Sequence, residues 1–151
     1  MNTERPRITV AAVIEREGRY LLVEEYSGER TVYNQPAGHL EAGENLLDAV
    51  VRESMEETAW HFQPMALLGV YQWTGRDNGI TYLRFCFSGE CGEHDPGQPL
   101  DRGIIRACWL TADEVLACRA QHRSPLVQRC IDDHRAGKRY PLSLYADLTA
   151  A

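Results

Sequence analysis

Apolar and polar residues alternate in short runs through the first part of the chain, a pattern typical of β-strands. The run at 7–14 is rich in small and β-branched residues and predicts a buried strand. A polar turn containing Gly18 leads to a second apolar run at 20–25, so these two runs predict a hairpin. A third run at 31–35 ends at Pro36, because proline cannot donate a backbone hydrogen bond to a neighbouring strand.

Further strand patterns follow in the middle of the chain. The segments 65–73 and 81–88 predict two strands joined by a turn at 75–79, which begins and ends with glycine. The segment 89–99 contains three glycines and two prolines, so we expect an exposed loop there. The apolar run at 104–110 predicts one more strand.

The spacing of apolar residues changes to a helical period after residue 44. We expect this helix to begin near Glu44 or Asn45, with an apolar side that packs on a sheet. That side is formed by Leu46, Leu47, Val50 and Val51.

Two more helices are predicted towards the C-terminus. Thr111 is suited to an N-cap, with acidic residues in the following turn, and this helix should end near Cys118. Ser124 followed by Pro125 predicts the start of another helix, which Gly137 ends. Strands dominate early and helices late, so we expect an α/β protein of the α+β type, with a mixed sheet flanked by helices.

Three glutamates on the first predicted helix share one side of it. At 100° per residue, Glu53, Glu56 and Glu57 fall at roughly 0°, 300° and 40°. Like charges at this spacing cost a few tenths of a kcal/mol each on a solvated helix. A divalent cation such as Mg²⁺ offers a reason to cluster them, because it prefers hard oxygen ligands. A solvated acidic face is the alternative interpretation of the glutamates alone.

The spacing of the surrounding residues resembles the signature of the Nudix hydrolase family. That signature reads G-x5-E-x7-R-E-U-x-E-E-x-G-U, with U an apolar residue, and six of its seven fixed positions are present. Ser54 and Ala59 depart from it. Because alanine is strained in a left-handed cap, we expect either a cap at Ala59 that costs about 1 kcal/mol or a helix that continues past it. The matching positions are Gly38, Glu44, Arg52, Glu53, Glu56 and Glu57.

Other segments resemble one branch of that family, the NudJ-type phosphatases, which act on a thiamine-pyrimidine pyrophosphate. The similarity extends over nearly the whole chain. Its segments are 34–42, 72–73, 83–85, 123–127 and 139–142.

The resemblance implies a Nudix α/β/α sandwich and a Mg²⁺-dependent hydrolase, with Mn²⁺ as an alternative metal. Its substrates would be nucleoside tri- and diphosphates and hydroxymethylpyrimidine pyrophosphate or thiamine pyrophosphate, and it would release orthophosphate. We assign Glu53, Glu56 and Glu57 as metal ligands, with the Gly38 carbonyl as a further one. Either Glu53 or Glu57 would orient or deprotonate the attacking water.

Further side chains are candidates for supporting roles. Arg52 and Glu44 are expected to form an ion pair that holds the glycine loop on the helix. Arg84 lies among apolar residues, where an unpaired charge is costly, so we expect either a protein partner or a substrate phosphate. Asp101 precedes a strand at a place where Nudix enzymes often carry an extra acid, although an ordinary turn aspartate fits equally well.

Two aromatic residues complete the set of candidate site residues. Trp73 and Tyr82 could stack on a pyrimidine or purine ring, or they could belong to the core. His39 lies in the glycine loop, and the sequence assigns it no role in the mechanism.

Composition limits the partners and the setting of the protein. The 151 residues suit one domain over 1–151, and the net charge of −6 argues against binding to nucleic acid or an anionic membrane. No apolar run is long enough to span a bilayer. The five cysteines form no C-x-x-C pair, and reduced thiols indicate the cytoplasm. Monomer and homodimer remain open.

Two other functions are compatible with the sequence. The first is a pyrophosphatase that cleaves ADP-ribose or another nucleoside diphosphate linked to a second group. The second is a non-catalytic Nudix module that senses a nucleotide. Such modules usually lose a glutamate or the arginine of the signature, whereas Arg52, Glu53, Glu56 and Glu57 are all present here.

Overall fold

The computed structural model describes residues 4–149, which form seven strands, three α-helices and two short 3-10 turns. The strands are β1 (Arg7–Arg16), β2 (Arg19–Ser27), β3 (Arg30–Asn34), β4 (Ala37–His39), β5 (Trp60–Thr74), β6 (Thr81–His94) and β7 (Ile104–Thr111). The helices are α1 (Leu46–Thr58), α2 (Ala112–Ala117) and α3 (Leu126–Arg135), and the 3-10 turns are Arg119–Gln121 and Leu142–Leu144.

The strands form one mixed sheet in the order β3-β2-β1-β6-β5, with β4 paired to β1 and β7 paired to β2. β1 and β6 are parallel, whereas the other pairs are antiparallel. The predicted hairpin of β1 and β2 forms only at its closed end, where Glu15 and Arg16 pair with Tyr20 and Arg19. The rest of β1 pairs with β4 and β6 instead. The expected mixed sheet flanked by helices is therefore confirmed.

The central strand β1 is buried on both faces, which explains its continuous apolar run. Val10, Ala12 and Ile14 pack in a core layer that includes Leu46, Ala49 and Val50 of α1. Ala11 and Val13 pack in a second layer that includes Cys130 and Ile131 of α3. Helices α1 and α3 thus cover opposite faces of the sheet, and the glycine loop leaves the sheet beside α1.

The predicted loop at 89–99 is wrong over its first half, because β6 continues as a strand to His94. Its partner β5 begins at Trp60 rather than near residue 65, so the two strands pair along most of their length. Gly89 allows this pairing, since a Cβ atom there would collide with the backbone oxygen of Gln63. The glycine serves close strand contact and not a turn.

Helix α1 has the predicted start and an unusual end. The Asn45 side chain accepts a hydrogen bond from the backbone N of Asp48 at 2.8 Å and caps the first turn. Ala59 adopts φ 60° and ψ 17°, in the left-handed region, and its N–H bonds the Met55 carbonyl. The cap therefore forms at Ala59 and the helix does not continue. Ser54, the other departure from the signature, is buried and donates its hydroxyl to the Val50 carbonyl at 2.8 Å.

The two C-terminal helices also match the sequence pattern. Thr111 and Glu114 form a reciprocal capping box at the start of α2. Helix α3 begins one residue later than predicted, with Pro125 as its N-cap, yet the Ser124 hydroxyl still accepts from the backbone N of Leu126. No helix within residues 4–149 is long and apolar enough to cross a membrane.

Candidate active site

Arg52 joins the glycine loop to helix α1, as the sequence predicts. Its guanidinium binds both oxygens of Glu44, through Nε at 2.7 Å and NH2 at 3.0 Å. The same side chain donates to Glu53 at 2.8 Å, to Glu56 at 3.1 Å and to the His39 carbonyl at 3.1 Å. Because the planar guanidinium hydrogen-bonds to both the loop and the helix, it fixes the orientations of the Glu53 and Glu56 side chains.

Gly38 and Glu53 are in close contact where strand β4 passes α1. A Cβ atom at position 38 would collide with the Glu53 carboxylate. Only glycine lets the backbone approach that carboxylate so closely. The signature glycine therefore brings the loop backbone to the acidic side of the helix.

Three carboxylates converge at this point. Glu53, Glu56 and Asp101 each offer one oxygen, and these oxygens all lie within 4.8 Å of one another. Asp101 comes from the loop before β7, and its backbone N donates to the Glu56 carbonyl at 2.8 Å. This hydrogen bond holds the loop against the C-terminal end of α1. Asp101 therefore has a defined position beside the helix, which an ordinary turn residue would not need.

Glu57, the third glutamate of the signature helix, is deeply buried. Its Oε1 accepts a hydrogen bond from the Ala37 backbone N at 2.9 Å. The pKa of Glu57 is raised to about 9, mainly by burial and also by the negative charges of Glu25, Glu53 and Asp101, while the hydrogen bond from the Ala37 N–H opposes the shift. Glu57 is therefore protonated at neutral pH when no cation is bound.

The trio itself carries more negative charge than Arg52 neutralises. Burial raises the pKa of Glu53, against the lowering effect of Arg52, and the pKa of Glu56 is raised for the same main reason. Several carboxylate oxygens held together in this way form a donor set for a hard divalent cation. The residues present thus fit the metal that the spacing predicts.

Arg84 finds its partners within the protein. It is 5% exposed and donates NH1 to Gln35 Oε1 at 2.9 Å and NH2 to Asn34 Oδ1 at 3.0 Å. Gln35 in turn donates to the Val127 carbonyl of α3 at 2.9 Å. These two acceptors are neutral amides, and NH1 also contacts the Cys130 sulfur of α3 at 4.0 Å. Its Nε has no partner among the described residues. A buried positive charge therefore contacts Asn34 and Gln35, in the segment that leads to Gly38.

Trp73 and Tyr82 stack on each other across β5 and β6. Their ring centroids lie 5.9 Å apart at an interplanar angle of 22°, and the two residues are directly paired in the sheet. Both are half-buried and belong to neither core layer. Tyr82 lies two residues from Arg84 and thus on the same face of β6. An aromatic surface and a buried guanidinium occur side by side.

Comparison with known proteins identifies the family. The profile described as "NUDIX domain" matches residues 4–130 of the chain. The chain belongs to the Nudix family. It is 41% identical over 143 residues to the "Phosphatase NudJ" of Escherichia coli K12, a match that covers 95% of this chain and 92% of that protein. The protein of the same name from Shigella flexneri matches equally well.

Solved structures agree with this assignment. A "NUDIX hydrolase from Nitrosomonas europaea" superposes with a TM-score of 0.95 at 51% identity, and the match covers 97% of this chain and all of the other. A "MutT NUDIX hydrolase" from Burkholderia pseudomallei superposes with a TM-score of 0.73 at 22% identity, covering 86% of this chain and 98% of that one. The second likeness shows the shared fold. The chain is a Nudix hydrolase that acts on phosphoanhydride bonds of small phosphorylated substrates.

The Nudix site also contains Glu25, which sequence reasoning missed, and His39, to which it gave no role. Glu25 of β2 is buried close enough to Glu57 to raise the pKa of that carboxyl, and it binds Arg123 at 2.7 Å. His39 lies beside Gly38, and burial together with the charges of Arg7 and Arg123 lowers its pKa. The sequence did contain a signal for Glu25. Glu24 and Glu25 are consecutive near the end of β2, and one of two consecutive strand residues must face inwards.

Proposed function

We propose that this Nudix hydrolase is a Mg²⁺-dependent phosphatase that removes the terminal phosphate as orthophosphate. Its substrates are nucleoside tri- and diphosphates and hydroxymethylpyrimidine pyrophosphate or thiamine pyrophosphate. The observation that carries the proposal is the convergence of Glu53, Glu56 and Asp101 beside Glu57 and Gly38. The relationship to proteins described as phosphatase NudJ supports the choice of a terminal phosphate.

In this proposal the metal is held by Glu53, Glu56 and Glu57, with the Gly38 carbonyl and Asp101 as further ligands. When bound, Mg²⁺ or Mn²⁺ would neutralise phosphate oxygens and lower the pKa of a water molecule. Glu57 must give up its proton to act as a ligand, so its raised pKa links metal binding to pH.

The remaining steps are carried out by protein side chains. Arg52 orients Glu53 and Glu56 through its hydrogen bonds at 2.8 and 3.1 Å. Glu53 or Glu57 accepts a proton from the attacking water, since both are deeply buried carboxylates with raised pKa values. The proton leaves water as its oxygen bonds to phosphorus, and the bond from phosphorus to the bridging oxygen breaks.

Three other residues bind the substrate in this proposal. Trp73 and Tyr82 offer an aromatic surface for a pyrimidine or purine ring, worth about 1–3 kcal/mol per stacked base. Arg84 attracts the phosphates through its charge, because no carboxylate among its described contacts neutralises it.

Product analysis tests the proposal. Orthophosphate and pyrophosphate are measured with and without Mg²⁺ for nucleoside tri- and diphosphates, ADP-ribose, thiamine pyrophosphate and hydroxymethylpyrimidine pyrophosphate. Orthophosphate from substrates with a terminal phosphate, dependent on Mg²⁺, is the expected result. Turnover of ADP-ribose alone would favour a nucleoside-diphosphate pyrophosphatase, and no turnover of any substrate would favour a non-catalytic sensing module.

The setting of the enzyme is part of the same proposal. We treat 1–151 as a single domain located in the cytoplasm, where the five free cysteines would stay reduced. A small phosphorylated substrate is its partner, and nucleic acid and membrane are not, in keeping with the net charge of −6.

A further inference from the structure

Arg123 reaches the candidate site from the segment that precedes α3. Its backbone N donates to the Tyr33 carbonyl of β3 at 2.8 Å, which fixes the segment against the edge of the sheet. Its NH1 donates to Glu25 Oε1 at 2.7 Å. The Glu25 side chain is 10% exposed, whereas that of Arg123 is 49% exposed. The guanidinium is thus held at NH1 by Glu25, and the side chain is otherwise half-exposed to solvent.

This ion pair lies on the same side of the sheet as the catalytic residues. Glu25 follows Leu21 by four residues on β2, and Leu21 packs in the core layer of α1, so Glu25 faces the side that α1 covers. Arg7 lines a pocket together with His39, the residue after Gly38, and its NH2 also binds Glu4 at 3.2 Å. The charges of Arg7 and Arg123 both contribute to lowering the pKa of His39. Neither arginine belongs to the family signature described above.

The chemistry of Arg123 suits an anion. A guanidinium has five N–H donors, and within residues 4–149 one nitrogen of the Arg123 side chain donates to Glu25. The other donors can bind two oxygens of a phosphate in the same plane while Glu25 stays in place. Because Glu25 holds the side chain beforehand, little rotamer entropy is lost when the anion binds.

We propose that Arg123, positioned by Glu25 and assisted by Arg7, binds the free terminal phosphate of the substrate. This inference rests on the proposed function and deepens it, since it explains how the enzyme selects a substrate ending in a phosphate dianion. A substrate capped at both phosphates, such as a nucleoside diphosphate linked to a sugar, presents less charge and fewer free oxygens to this arginine.

A neighbouring ion pair supplies a matched control. Arg106 of β7 binds Glu24 at the same distance of 2.7 Å, and its side chain is 54% exposed. Glu24 and Glu25 are consecutive on β2 and therefore point to opposite faces of the sheet. Substitution of Arg106 removes an equivalent pair without reaching the catalytic carboxylates.

The test compares two ligands that cannot be hydrolysed, α,β-methylene-ADP and the methyl ester of its terminal phosphonate. Calorimetry with Mg²⁺ gives the affinity ratio of these two probes for the wild type, Arg123→Ala, Arg123→Lys and Arg106→Ala. We expect the wild type to prefer the free phosphonate by about 10- to 100-fold. Arg123→Ala should lose most of that preference, Arg123→Lys should keep part of it, and Arg106→Ala should retain it.

The ratio is insensitive to a loss of folded protein, because both probes sample the same folded fraction. An Arg123→Ala variant with the wild-type ratio would overturn the proposal, as would an equal loss in Arg106→Ala. The measurement does not require turnover. A preference that depends on Arg123 in a protein with no phosphatase activity would refute the proposed function and uphold the subsite. Phosphatase activity without a preference that depends on Arg123 would uphold the proposed function and refute the subsite.

Discussion

The two regions on either side of the segment 34–38 are charged in opposite ways. The acidic region contains Glu53, Glu56, Glu57 and Asp101, and the carboxylates there outnumber the single guanidinium of Arg52. The arginine region contains Arg84 with Asn34 and Gln35, where the described acceptors of a buried cation are two neutral amides and the Cys130 sulfur, and none is a carboxylate. Neither region is balanced by itself.

The contrast has a physical meaning because buried charge is costly unless it is paired. The acidic region responds by raising the pKa values of Glu53, Glu56 and Glu57. Arg84 cannot become neutral in a corresponding way, since a guanidinium does not lose its proton in a protein. A divalent cation bound to the first region and phosphates near the second would balance both, which is why the pair of regions indicates a metal-assisted phosphate chemistry.

The largest expected effect tests the acidic region. Glu53→Gln and Glu57→Gln should each lower kcat by at least about 100-fold, because each removes a metal ligand or a general base. The fold should remain intact, as judged by circular dichroism. Asp48→Asn on the same helix is the control, since Asp48 lies in the first turn and is exposed. An equal loss in Asp48→Asn would contradict the assignment.

The second effect is a pH dependence of the metal-free protein. The pKa of Glu57 is about 9 in the folded protein, compared with 4.5 for an ordinary glutamate, as in the unfolded chain. Its contribution to stability is complete below about pH 4.5 and is lost as the pH rises towards 9, because unfolding releases the proton. The free energy of unfolding should fall by up to about 1.4 kcal/mol per pH unit in that window.

Urea denaturation in the presence of a chelator at pH 5 to 9 measures this slope. Glu57→Gln cannot ionise, so the variant should be less sensitive to pH and at least as stable as the wild type above pH 7. A metal-free Glu57→Gln protein that melts well below the wild type at pH 8 would contradict the claim that the acidic region is strained without its cation. Metal binding at pH 7 should also release a proton, which calorimetry in two buffers detects.

The third effect tests the arginine region. Arg84→Met removes the charge and leaves the oxygens of Asn34 and Gln35 without their donor, which should lower the free energy of unfolding by about 1–3 kcal/mol. It should also raise KM by about 10-fold or more, while kcat changes less. Arg84→Lys keeps the charge and should raise KM less than Arg84→Met. A normal KM in Arg84→Met, with only a lower melting temperature, would make Arg84 purely structural.

The smallest effect concerns the cap that ends the acidic helix. Ala59→Gly relieves the left-handed backbone at φ 60° but gives up one buried methyl group. The variant should gain about 0.5–1 kcal/mol of stability, which corresponds to a rise of roughly 1–4 °C in Tm. Differential scanning calorimetry measures it, and an unchanged or lower Tm would show that the cap carries no strain.

Local features of the chain were predictable from the sequence. The start of α1 near Asn45, the alignment of the glutamates on α1 and the ion pair of Arg52 with Glu44 all follow from helix geometry and short spacings. The strands β1, β2 and β7 were recognisable because each is a continuous apolar run. The extension of β6 to His94 was not, because its glycines are characteristic of loops until the close pairing with β5 is known.

The amino-acid sequence by itself determined the family, the helix of α1 and the set of carboxylates on it, since these depend on spacings within the one continuous segment 38–59. Only the tertiary structure brought Asp101 to Glu53, Glu25 to Arg123, and Arg84 to Asn34 and Gln35. These partners are 48 to 98 residues apart in the chain, and their meeting depends on which strands pair and on the face towards which each side chain points. A shift of one residue in a strand turns every side chain to the other face, so the charge balance of the site is a property of the folded sheet.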